Sequence, residues 1–126
     1  MGRRSDALEV LTYALETCRT IDNPELTARV LNALGETHHD AGDQARAIAS
    51  HRQAHELAER LGDPLEAARS SLGLGDALAA TGDPDGARAC WQNAFDAYTR
   101  LGLPGAARAR ARLLGTRGPG MDTHWV

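Results

Sequence analysis

Aromatic residues are scarce: two Trp, two Tyr and one Phe make up 4% of the 126-residue chain. A core poor in rings and rich in Ala and Leu suits closely packed helices better than a β-sandwich. No apolar run approaches the roughly 20 residues that would cross a bilayer. The opening Met1-Gly2-Arg3-Arg4-Ser5-Asp6 lacks the apolar centre of a signal peptide. Both observations argue against a membrane and favour the cytoplasm. Charge of one sign is also missing. The formal net charge is −3, which supplies neither a basic field for nucleic acid nor an acidic tail for a cationic partner. Only two cysteines occur, Cys18 and Cys90. Their spacing forms no metal or redox pair, and they fall on helices too far apart for a disulfide. They read as small buried thiols.

Catalytic patterns are equally sparse. Ser50, Ser70 and Ser71 lie in helical stretches without a strained elbow, and neither Cys is followed by a convincing base. Gly73-Leu74-Gly75 interrupts a helical pattern with no strand before it, so it is not a phosphate loop. His51 and His55 share a helix face at four-residue spacing, near His38 and His39. They lack the further ligands a zinc site needs. No enzyme activity, metal or cofactor is expected. Arg108, Arg110, Arg112 and Arg117 form a basic stretch. The two-residue alternation of the first three spreads them around a helix, which suits a solvated helix better than nucleic acid.

What is present is repetition. Pro24, Pro64 and Pro104 are spaced by 40, as are Leu34-Gly35, Leu74-Gly75 and Leu114-Gly115. Ala7, Ala47 and Ala87 keep that step, and so do Ala14, Ala54 and Ala94. Residues 24–63 and 64–103 are identical at thirteen of forty positions. Each period divides at Gly42-Asp43 or Gly82-Asp83, short hairpin turns with Asp as N-cap. Helical apolar spacing and the Gly, Asn and Pro punctuation predict helices over roughly 5–21, 25–41, 44–61, 65–81, 84–101 and 105–115. The organisation is a half repeat (5–23), two repeats (24–63 and 64–103) and a half repeat (104–115). A tail over 116–126, with Gly118-Pro119-Gly120 and Trp125, is expected to be flexible. Gly35 and Gly75 sit inside helices, where Gly costs about 1 kcal/mol relative to Ala. A cost repeated in phase suggests close packing, with the Ala47/Ala54 and Ala87/Ala94 ladders as the expected partners.

The pattern resembles the tetratricopeptide repeat. Leu34-Gly35-x-x-His38, Ala47-x-x-x-His51, Ala54 and Pro64 follow the motif, as do Leu74-Gly75-x-x-Leu78, Ala87-x-x-x-Trp91, Ala94 and Pro104. The common unit has about 34 residues; the longer one here is similar to the long-helix subset of LGN/Pins-type spindle adaptors, rapsyn and bacterial regulators. The resemblance implies an all-α solenoid of about six helices in a right-handed superhelix. It implies a non-catalytic scaffold that binds a protein or peptide. The Ala- and Arg-rich usage looks like a high-GC bacterium, where such arrays also form sensor segments of transcriptional regulators and signal-transduction ATPases. In this family the first helix of each hairpin lines the concave groove. Carried over, the groove residues are Arg29, Asn32, Glu36, His39 and Asp40, then Arg69, Leu72 and Asp76. Arg29 and Arg69 would form a basic row beside an acidic row of Glu36 and Asp76, suited to a mixed-charge peptide. Neither end shows an obvious polar cap, which solenoids need for solubility. The half repeats therefore point to a piece of a longer array or to self-association through an end helix.

Overall fold

Four punctuation sites divide the chain as the repeat demands. Asn23, Asp43, Asp63 and Asp83 each cap a helix, their side chains accepting from the backbone N–H three residues on, at Leu26, Arg46, Glu66 and Gly86. Pro24, Pro64 and Pro84 occupy the first helical position, where a missing N–H costs nothing. The computed structural model describes residues 2–115. It contains α1 (Arg3–Thr20), α2 (Pro24–Asp40), α3 (Gln44–Leu61), α4 (Pro64–Ala80), α5 (Pro84–Leu101) and α6 (Gly105–Gly115). The described residues contain no strand. The expected flexible tail, with Arg117 and Trp125, lies outside them.

Consecutive helices pack on one another, and α2 also touches α4. This is an all-α repeat solenoid. The helices end where left-handed backbone is easiest. Gly62 and Gly102 close α3 and α5 at φ 66 and 67. The same step places Asp22 after α1, at φ 54, the one described non-Gly residue with positive φ. Asp is among the few L-residues that tolerate that region.

Ala47, Ala54, Ala87 and Ala94 are fully buried, so α3 and α5 approach their neighbours closely. The helical glycines face a ring as well as the ladder: a Cβ on Gly75 would lie 3.1 Å from the Ala87 carbonyl oxygen. A Cβ on Gly35 would lie 2.5 Å from His51 Nε2, and one on Gly75 would lie 2.5 Å from Trp91 Cδ1. Each glycine admits a ring from the facing helix, His51 at Gly35 and Trp91 at Gly75. His51 is squeezed from both sides, because a Cβ on Gly73 of α4 would come within 2.3 Å of its ring.

The second hairpin has an apolar interior in which Ala68 and Leu72 pack with Trp91 and Tyr98. The first is polar at matching positions. Asn32 stands for Leu72 and His51 for Trp91, and both are 0% exposed. Arg108 and Arg112 of α6 stand 40 residues on from Ala68 and Leu72, and Arg112 is not simply solvated as expected but reaches back to Asp76 of α4.

Candidate functional site

The concave side carries a cleft of about 690 Å³. α2 contributes Glu36, His39 and Asp40; α4 contributes Leu65, Glu66, Arg69, Leu72, Gly73 and Asp76. Tyr98 of α5, Leu103 and Pro104 of the following turn, and Arg108 and Arg112 of α6 complete it. Its apolar lining is thus Leu65, Leu72, Tyr98 and Leu103, bordered by charge.

The charges are mostly paired. Arg69 donates to both carboxylate oxygens of Glu36 at 2.8 and 2.7 Å. Its third contact, with Glu66 Oε1, is 3.4 Å long. The Glu36 hydrogen bonds raise the Arg69 pKa above its ordinary value. Arg112 similarly donates to Asp76 at 2.9 and 3.2 Å, and this bonding raises its pKa. Asp76 Oδ1 also accepts from Trp91 Nε1 at 2.9 Å. Each acid therefore ties its hairpin to the next element. The expected free acidic row is instead neutralised by arginines reaching across from the following first-type helix. Bidentate geometry of this kind fixes orientation as well as charge. Arg108 makes no ion pair among the described residues.

A buried polar network lies beneath the cleft. Asn32 Nδ2 donates to the Glu66 carbonyl at 3.1 Å and to its carboxylate at 3.0 Å. Asn32 Oδ1 lies 2.9 Å from His51 Nδ1 and 2.9 Å from Ser70 Oγ. With an acceptor opposite it, His51 Nδ1 carries the proton, and Nε2 is a buried acceptor without a partner among the described residues. Burial pushes the His51 pKa down to about 4, so the ring is neutral at physiological pH. This is an interior histidine; among the described residues no group of three His, Cys, Asp or Glu comes together that could hold a metal.

Of the residues expected to line a groove, Glu36, His39, Asp40, Arg69 and Asp76 do so. Leu72 reaches the cleft but is only 6% exposed, so most of it belongs to the core. Asn32 requires correction: it is wholly buried and spends its hydrogen bonds in the interior, on His51 of α3 and on Glu66 and Ser70 of α4. Arg29 is exposed but lies outside the cleft, so it forms no row with Arg69. Sequence reasoning missed Leu65, Tyr98, Leu103, Arg108 and Arg112. The available signal was acid and arginine one repeat apart less a turn or two, as in Glu36 with Arg69 and Asp76 with Arg112.

Other features bear on chemistry and location. Cys18 and Cys90 are free thiols, and burial pushes the Cys90 pKa up, away from nucleophilic reactivity. No helix among the described residues is long and apolar enough to cross a membrane.

The tetratricopeptide repeat family model matches residues 1–60, covering α1, α2 and most of α3. A search of curated proteins returns no match. Tetratricopeptide domains generally serve as protein-binding scaffolds and not as enzymes. The all-α solenoid, together with a family match over the part of the chain that residues 64–103 repeat, supports a protein of the tetratricopeptide repeat family.

Proposed function

We propose that the cleft holds an extended segment of a protein partner, with apolar side chains on Leu65 and Leu103 and a carboxylate on Arg108. The observation that carries this reading is the composition of the cleft: apolar lining residues beside a guanidinium, that of Arg108, with no ion pair among the described residues. The Glu36–Arg69 and Asp76–Arg112 pairs hold the walls and leave little free charge. Recognition therefore rests on apolar burial, worth about 25 cal/mol per Å², and on one charge-assisted contact. The 40-residue unit further supports a place in the long-helix subset of the family.

Peptides selected from a displayed library on the immobilised protein provide the test, with affinity read by fluorescence anisotropy. Arg108→Glu and Leu65→Asp should each weaken a selected peptide at least tenfold. Both sites are exposed, so the fold survives the change. Arg29→Glu, outside the cleft, should leave affinity unchanged. Equal binding by all three variants would sink the reading.

A further inference from the structure

The first hairpin leaves unmade a contact that the second makes. Trp91 Nε1 donates to Asp76 Oδ1 at 2.9 Å. Forty residues earlier the same two positions hold His51 and Glu36. The lengths compensate, because imidazole is shorter than indole and the Glu stem is longer than that of Asp. Yet Glu36 turns to Arg69, at 2.8 and 2.7 Å, and His51 Nε2 has no partner among the described residues. That nitrogen is an acceptor, because Nδ1 donates to Asn32 Oδ1 at 2.9 Å. The Asn32 amide is held in this sense by donating to the carbonyl and the carboxylate of Glu66. A further proton therefore enters the ring at Nε2. The charged and titratable groups facing it are Glu36 and His39 of α2 and Arg69 and Asp76 of α4.

We propose that His51 and Arg69 compete for Glu36, so that a carboxylate reaching Arg69 from the cleft releases Glu36 to His51 and is bound together with a proton. This rests on the reading of the cleft as a site for a protein segment, and it gives that segment a second acidic residue besides the one on Arg108. Arg69 presents its Nε–Nη2 edge, suited to two parallel bonds with a carboxylate, to Glu36. An incoming carboxylate gains that edge by displacing Glu36. The Arg69 and Glu36 side chains are 30% and 47% exposed, so the exchange needs no opening of the core. His51 then takes a proton from solvent at Nε2 and donates it to Glu36, as Trp91 donates to Asp76. Burial keeps the ring neutral in the unoccupied cleft; beyond that, Glu36 favours charge on it and Arg69 opposes it. Occupying Arg69 strengthens the first influence and weakens the second.

Histidine side-chain NMR tests the competition without a ligand. Arg69→Gln, which removes the rival for Glu36, should raise the His51 titration midpoint by roughly one pH unit or more. Glu36→Gln should lower it, and in Arg69→Gln/Glu36→Gln most of the rise should be lost. Far-UV dichroism checks that each variant keeps its helices. A midpoint in Arg69→Gln equal to that of the wild type, or an equal rise in the double variant, overturns the proposal. Calorimetry of the wild type with an acidic peptide selected on the immobilised protein, in two buffers of different ionisation heat, then counts protons. Binding at about pH 5.5 should take up part of a proton, and Glu36→Gln should abolish the uptake. Binding without uptake overturns the coupling and leaves the cleft reading standing. A raised midpoint in Arg69→Gln where no peptide binds sinks the cleft reading and upholds the competition.

Discussion

At the scale of single residues, the interior of the first hairpin is chemically distinct from that of the second. His51 is neutral in the fold because burial lowers its pKa from 6.5 to about 4. A histidine depressed on folding stabilises the native state fully above the unfolded pKa, and the contribution declines as pH falls from 6.5 through 4. At pH 5.5 the linkage amounts to roughly 1 kcal/mol. Urea midpoints at pH 7.5 and pH 5.5 should therefore differ, and the difference should shrink in His51→Leu by about that amount. An unchanged pH dependence in the variant would show that the ring titrates normally. The large-residue phase of position 51 was legible in the sequence, since Trp91 holds it one repeat later. Its hydrogen-bond partner was not. Asn32 lies on a helix face that family geometry assigns to the groove, and only the approach of Glu66 and Ser70 from α4 shows it to be interior.

At the scale of elements, local chemistry was sufficient. Caps, prolines and closing glycines are short-range signals, so the helix boundaries fall within two residues of those the sequence predicts. The same logic isolates one irregular ending. Asp22 adopts φ 54 where Gly62 and Gly102 serve in later repeats. Left-handed backbone costs an L-residue roughly 1–2 kcal/mol, and less for Asp. Asp22→Gly should accordingly stabilise the chain by up to about 1 kcal/mol, read as a rise in the thermal or urea midpoint. A fall would mean that the Asp22 side chain makes a compensating interaction. The partner of each helical glycine was harder to anticipate. Repetition shows that Gly35 and Gly75 permit close approach, but it cannot tell a neighbouring Ala ladder from one inserted ring.

At the scale of the whole molecule, cross-hairpin carboxylates join units that local rules leave independent. Asp76 accepts from Trp91 on α5 and Arg112 on α6 together. Its removal leaves an indole N–H without a partner and a guanidinium without its counter-charge. Asp76→Ala should destabilise the chain by roughly 1–3 kcal/mol, as is typical when a buried donor loses its acceptor, and should shift Trp91 fluorescence. Urea unfolding followed by both fluorescence and dichroism checks this; an unaltered midpoint would show that α6 is held by packing alone. The arginine pairings, Glu36–Arg69 and Asp76–Arg112, connect residues more than thirty positions apart. The 40-residue period brings them close in space, but the side-chain reach that completes them is visible only in three dimensions.

The unequal interiors also set where the array gives way. Repeat proteins behave as rows of coupled units, each with its own stability. Acid weakens the unit built on Asn32 and His51 first, because the one built on Leu72 and Trp91 contains no histidine. Acidification would thus loosen the wall bearing Glu36, His39 and Asp40 while Tyr98, Leu103 and Arg108 keep their places. The two walls of the cleft would therefore differ in the pH at which each gives way.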